Sequence, residues 1–199
     1  MIAVYVHQNG ETRCVEHVDP AWLDAASGTT VWVDLTRPSQ TEGDAILSGV
    51  FHFHALSVED ALSEIHHPKV ESYGTYLYLI LHGINFREGE HEFATHDVDF
   101  FLGPNYLVTV HDGRSRSVAS VKQACDRHHR LLAEGPVALL HRIVDRMVEN
   151  YRPEVGRIET EMNALEDEAI LGGAPSALAA ITAQQGARPL YSSYVVPAG

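Results

Sequence analysis

The sequence predicts an α/β protein: an α/β/α sandwich with a mixed β-sheet, followed by a long C-terminal stalk helix. Short β-rich runs alternate with helical patterns early in the chain, and the turn Gly103-Pro104-Asn105 joins two later strands as a hairpin. From residue 136 a single helical period continues to about residue 171. Strands that alternate with helices and then close as a hairpin are typical of a mixed sheet covered by helices.

Local signals place the individual elements. Asn9-Gly10 is a strong hairpin turn, Asp19 can cap a short helix, and Ser39 with Glu42 spells a capping box at the start of the next helix. Strands are expected at 2–7, 13–18, 31–35, 76–86, 97–102 and 106–111. A short helix is expected to begin at Pro20, and further helices are expected at about 39–51, 55–65, 115–132 and 136–171.

The charge of the chain is strongly acidic. Against 14 Lys and Arg stand 27 Asp and Glu, which gives a formal net charge of −13 over 199 residues. A surface of this sign repels nucleic acid and anionic lipid, so no nucleic-acid partner is predicted. It attracts cations, including hard divalent ions that prefer oxygen ligands. Solubility alone is the simpler explanation of the same charge.

The cysteines and the chain ends carry no targeting signal. Cys14 and Cys125 lie far apart, which argues against a disulfide framework or a cysteine metal pair and fits a reducing cytoplasm. The N-terminus lacks a basic segment and a long apolar core, so no secretory signal is expected. The longest uncharged stretch, 169–187, is too polar and too broken by Gly and Pro to cross a membrane.

The long helix carries a continuous apolar seam. Spacings of three and four residues along its whole length predict a coiled coil or bundle, and therefore a partner helix from the same chain or a neighbouring subunit. Pro153 is expected to kink the helix or to mark a junction. We divide the chain into an α/β domain at 1–135, a stalk-type helix at 136–171 and a tail at 172–199 with at most a short helix. The seam positions are Val137, Leu140, Val144, Met147, Tyr151, Val155, Ile158, Met162, Leu165 and Ala169.

Glu59 and Asp60 form the sharpest candidate metal site. Adjacent carboxylates repel each other, and a divalent cation relieves that repulsion. The same residues also fit a helix start that needs no metal, with Ser57 as N-cap and Asp60 closing a capping box.

Asp145 and Glu149 are a second acidic pair, four residues apart on the long helix and beside its apolar seam. They place two carboxylates on one face near an expected interface. The alternative is an exposed acidic stripe without a specific role.

Histidines and enzyme motifs give weaker signals. Zinc binds imidazole, but no cysteine accompanies His52, His54, His66 and His67, and no HExxH spacing occurs. We expect most of these histidines to be polar surface residues or capped residues of the core. The sequence contains no P-loop, no GxGxxG and no GxSxG elbow, so no enzyme is predicted.

Five stretches stand in a recognisable order along residues 31–170: VWVDL, FHFHALSVEDAL, HHPKVESYGTYLYLIL, VDFFLGPNYLVTVHD and LLHRIVDRMVENYRPEVGRIETEMNALED. Together they resemble the N-terminal cytoplasmic domain of CorA-type magnesium and cobalt transporters. The most specific pieces are Glu59-Asp60 with the later Pro68-Lys69-Val70-Glu71, the hairpin at 101–105, and Asp145 with Tyr151 and Pro153.

The resemblance implies a homopentamer on the cytoplasmic face of the cell membrane. Mg²⁺ or Co²⁺ bound between neighbouring cytoplasmic domains would hold a pore closed, and loss of the ions would open it. By position, Glu59, Asp60 and Asp145 match acidic residues of this inter-subunit sensor. The family's two transmembrane helices and its Gly-Met-Asn loop are missing from this sequence. The chain alone is therefore expected to be soluble and unable to conduct ions.

Other functions remain open on the sequence. The zinc-transporting branch of the family shares the architecture, so Zn²⁺ is an alternative ion. A stand-alone soluble metal-binding protein, or a metal-dependent enzyme built on the histidines, is a second alternative. A third is a structural assembly domain whose long helix only oligomerises.

Overall fold

The computed structural model describes residues 1–63, 67–86, 93–127 and 131–170. Within them, seven strands form one mixed sheet in the order β2-β1-β3-β7-β6-β5-β4. The strands are β1 (Ile2–Gln8), β2 (Glu11–Val15), β3 (Thr30–Thr36), β4 (Lys69–Ser72), β5 (Leu77–Phe86), β6 (Phe93–Leu102) and β7 (Tyr106–His111). The predicted mixed sheet is therefore confirmed.

Strand pairing follows the turn chemistry of the sequence. Asn9 and Gly10 both have positive φ, at 53° and 82°, which is the conformation that a tight β1–β2 hairpin requires. β3 and β7 are the parallel pair, whereas β1 with β3, β7 with β6, β6 with β5 and β5 with β4 are antiparallel. The four-residue strand β4 was not predicted, because Pro68 directly before it obscures so short a β-rich run.

Four α-helices and three 3-10 turns complete the described part of the fold. The helices are α1 (Gln40–Leu47), α2 (Ala55–Leu62), α3 (Arg116–Arg127) and α4 (Pro136–Ile170). Asp19 caps the first 3-10 turn, at Pro20–Leu23, and Ser39 and Glu42 form the predicted capping box of α1. The predicted end of α2 at Ile65, His66, and the short helix expected in the tail lie outside the described residues.

The sheet is covered on both faces, because alternate residues of a strand point to opposite sides. Val31 and Val33 of β3 join one core with residues of α1 and α2, while Trp32 joins the other core with residues of α3 and α4. This arrangement is the predicted α/β/α sandwich.

The chain divides into two compact units, Met1–Tyr151 and Arg152–Gly199. The described part of the second unit, 152–170, is entirely helical. In the first unit, the buried face of α4 differs in part from the predicted seam: Met147 is buried as predicted, but Leu139 and Ile143, which are not seam positions, are also buried, and Val137 is 65% exposed. The correction has a simple reason, since a helix lying on a sheet buries a stripe of period near 3.6 and not a heptad seam.

Candidate metal-ion site

The start of α2 positions the two candidate carboxylates, Glu59 and Asp60. The N-cap of this helix is His54, whose Nδ1 accepts a hydrogen bond from the backbone N–H of Leu56 at 3.2 Å. Ser57 is fully buried inside the first turn and donates to the His54 carbonyl at 2.9 Å. The predicted capping box from Ser57 to Asp60 is therefore wrong, because the helix begins three residues earlier than that box requires.

Asp60 is half-buried and forms an ion pair with a lysine of the same chain. The Lys69 ammonium on β4 lies 2.5 Å from Oδ2 of Asp60 and 3.2 Å from Oε1 of Glu71. It also lies 5.4 Å from the centre of the Tyr78 ring, within the range of a cation–π contact. The hydrogen bond to Asp60 raises the pKa of Lys69, so the ammonium stays charged.

Glu59 and Asp145 differ from Asp60 in their exposure and in their contacts. Both side chains are exposed, and neither carboxylate has a hydrogen bond or an ion pair with another described residue. Glu59 borders a depression between α1 and α2, near Asp44. Asp145 borders a second depression at the start of α4, near His141. Glu149, the neighbour of Asp145 in the predicted pair, instead forms an ion pair with Arg146 at 2.6 Å.

The sheet separates the two groups of carboxylates. Val58 and Ala61 anchor α2 in the core on one face, while Ile143 and Met147 anchor α4 in the core on the other face. No local pattern in the sequence predicts this separation. Within one protomer, the structure does not bring Asp145 together with Glu59 and Asp60.

Asp60 of α2 and Glu71 of β4 lie close enough for one cation to contact both carboxylates. One ammonium reaches oxygens of both Asp60 and Glu71, so a single cation can bridge these two carboxylates. Carboxylate oxygens are the ligands that Mg²⁺ prefers. Among the described residues, no three His, Cys, Asp or Glu side chains form a group that could hold a metal ion.

The described histidines of this region serve other contacts. His54 caps α2 and packs against the Tyr73 ring at 5.3 Å. The Nδ1 of His52 lies 3.0 Å from the Ser48 carbonyl, and His67 is exposed.

A buried ionic network was missed by the sequence analysis. Asp34 of β3 is fully buried and receives hydrogen bonds from Thr109 at 2.7 Å, His111 at 3.0 Å and Lys122 at 2.6 Å. Burial alone would raise the pKa of Asp34, but the hydrogen bonds from His111 and Lys122 lower it to about 2. An aspartate inside the apolar run VWVDL is the signal that could have revealed this network, since a buried charge needs partners.

The fold defines the class of protein: it is the α/β/α fold of the soluble domains of CorA and ZntB proteins. The soluble domain of CorA from Methanocaldococcus jannaschii superposes with a TM-score of 0.70 at 18% identity, covering 92% of this chain and 69% of that chain. The cytoplasmic domain of ZntB from Vibrio parahaemolyticus gives a TM-score of 0.63 at 19% identity, covering 92% and 70%. At these identities, the likeness establishes the fold.

The family follows from the sequence comparison. The family described as CorA-like Mg²⁺ transporter protein matches residues 27–188, and the chain belongs to this family. YfjQ of Bacillus subtilis, named as a candidate metal ion transporter, is 32% identical over 77% of this chain and 44% of its own length. The cobalt/magnesium transport protein CorA of Thermotoga maritima is 25% identical over 72% and 41%. The chain thus spans less than half the length of these curated relatives. Among the described residues, no helix is long and apolar enough to cross a bilayer.

Proposed function

We propose that this chain is the ion-sensing cytoplasmic part of a divalent metal ion transporter, and that several copies assemble around bound Mg²⁺. Glu59 and Asp60 of one copy and Asp145 of its neighbour hold the ion between subunits. The observation that carries the proposal is the placement of these carboxylates on opposite faces of the sheet. One chain cannot bring these carboxylates together. Two copies can, if the α2 face of one copy packs against the α4 face of the other.

Ion binding would stabilise the assembled state through differential affinity. Carboxylates from two chains repel each other when they approach, and a divalent cation between them removes that cost. The ion therefore binds the assembled state better than the separated state and shifts the equilibrium towards assembly. In a transporter, that shift keeps the pore closed while Mg²⁺ is abundant. The family model and the transporter names of the relatives support this function.

Sedimentation velocity across a Mg²⁺ titration at constant ionic strength tests the proposal. We expect the wild-type chain to associate as Mg²⁺ rises, and Asp60→Asn and Asp145→Asn each to need at least about tenfold more Mg²⁺, since each removes a charged ligand. Glu16→Gln, which neutralises an exposed carboxylate outside the cluster, is the control and should behave as wild type. Association that ignores Mg²⁺, or that both Asp variants leave unchanged, would refute the sensor and favour a purely structural assembly domain.

The same titration with Co²⁺ and Zn²⁺ tests which divalent ion drives association. The oxygen-only donor set of Glu59, Asp60 and Asp145 favours Mg²⁺, a hard cation, over Zn²⁺, which takes nitrogen and sulfur ligands readily. Zn²⁺ binding that His54→Asn abolishes would support the zinc-transporting alternative, because asparagine keeps the helix cap but removes the imidazole.

A further inference from the structure

Lys69 already forms an ion pair with Asp60, one of the carboxylates proposed to hold the ion. Its ammonium contacts one oxygen of Asp60 and one of Glu71, and both carboxylates are more than one third exposed. A divalent cation reaching Asp60 therefore meets a carboxylate that already has a positive partner. We propose that Lys69 is a built-in competitor for the ion, which lowers the affinity of the Asp60 site and so sets the Mg²⁺ concentration at which the sensor responds. This inference rests on the proposed function of Asp60.

The fold holds the ammonium in place before any ion arrives. β4 pairs with β5 in a register that sets Lys69 opposite Ile80 and Glu71 opposite Tyr78. The Tyr78 hydroxyl donates to buried Asp99 at 2.5 Å, which fixes the ring whose face the ammonium approaches. Lys69 is thus ordered by the sheet and not by Asp60 alone, and it returns to Asp60 whenever the ion leaves.

A lysine at position 69 is a partner of Asp60 that a metal ion can displace. The whole chain contains two lysines, Lys69 and Lys122, and twelve arginines. Both lysines pair with an aspartate, but only Lys122 faces a fully buried one. A lysine ammonium is a compact point charge, whereas an arginine would grip a carboxylate through two parallel hydrogen bonds and would be harder to displace.

Competition predicts the sign of the change in Mg²⁺ affinity. In Lys69→Met, the competing charge is gone, so the dissociation constant for Mg²⁺ should fall about two- to fivefold, the range expected for a partly exposed ion pair. Lys69→Arg should bind no more tightly than wild type. Arg127→Met is the matched control, because it removes one exposed positive charge from α3 on the other face of the sheet. Its dissociation constant should stay within about 1.5-fold of wild type, since charges at that distance are largely screened.

The decisive experiment combines calorimetric Mg²⁺ titration of these variants in the full 199-residue chain with amine labelling of the wild type. Mass spectrometry after brief acetylation reads both lysines separately, and Lys122 is the internal reference. Saturating Mg²⁺ should speed the labelling of Lys69 at least about threefold relative to Lys122, because the ion takes its partner away. Equal ionic strength in NaCl should have no such effect.

The outcomes distinguish the proposal that Lys69 competes with the ion from the proposal that Asp60 binds it. If Asp60→Asn weakens Mg²⁺ binding but Lys69→Met leaves it unchanged or also weakens it, the competition is refuted and the sensor stands. If Asp60→Asn leaves Mg²⁺ binding intact, both proposals fall. Tighter binding in Lys69→Met, together with faster Lys69 labelling in Mg²⁺, supports the competition.

Discussion

At the scale of single residues, Tyr76 fixes the helix that carries the candidate ligands. Its buried hydroxyl accepts from the His54 backbone N–H at 2.9 Å and pairs with the Ser57 hydroxyl at 2.9 Å. These bonds settle where α2 begins, and with it the positions of Glu59 and Asp60. The sequence predicted a helix that begins at Ala55, but the capping box assigned to Ser57 was wrong, because the hydroxyl that contacts Ser57 lies 19 residues away in the sequence.

Tyr76→Phe should destabilise the fold by about 1–2 kcal/mol, because the His54 backbone N–H loses its hydrogen-bond acceptor and the buried Ser57 hydroxyl loses one of its two partners. Tyr73→Phe is a matched control. Its ring stacks on Tyr76 at 5.0 Å, but its hydroxyl contacts partly exposed Glu71, so it should change stability by less than about 0.5 kcal/mol. Urea unfolding measures both. Equal losses in the two variants would contradict the specific role assigned to the Tyr76 hydroxyl.

At the scale of elements, Asp34 ties β3 to β7 and to α3. The His111 ring accepts the Gly113 N–H at Nδ1, which leaves Nε2 to donate to Asp34, and Lys122 adds the balancing charge. Strands and helices with strong local patterns could be predicted from the sequence. This network could not, since its partners stand 75 to 88 residues from Asp34 and no local spacing links them.

The pKa of Asp34 predicts a specific loss of stability in acid. Its folded value of about 2 lies below the ordinary 3.8, so the carboxylate contributes stability above pH 4 that is lost as the pH falls towards 2. Between those limits, the free energy of unfolding should drop by about 2 kcal/mol more in wild type than in Asp34→Asn/Lys122→Met. The double variant avoids leaving either charge buried alone. Urea unfolding at stepped pH is the measurement, and equal pH slopes would contradict the assignment.

At the scale of the whole molecule, the positions of the acidic residues on the fold matter more for the proposed ion site than their identity. Glu59, Asp60 and Asp145 could be selected from the sequence, but their separation by the sheet could not, because it depends on which face each helix covers. Each copy also carries a net charge of −13, so copies repel one another until cations intervene. From this charge and the separation of the carboxylates, we expect copies of the chain to assemble only when a divalent ion is present.

The central claim is that an ion joins Asp60 of one copy to Asp145 of another, and mixing two inactive variants tests it most directly. Asp60→Asn and Asp145→Asn should each fail to associate in Mg²⁺ that assembles the wild type. An equimolar mixture should recover partial association in sedimentation velocity, because the Asp145→Asn chain contributes an intact Asp60 and the Asp60→Asn chain an intact Asp145. A mixture that sediments like its separate components would contradict the account.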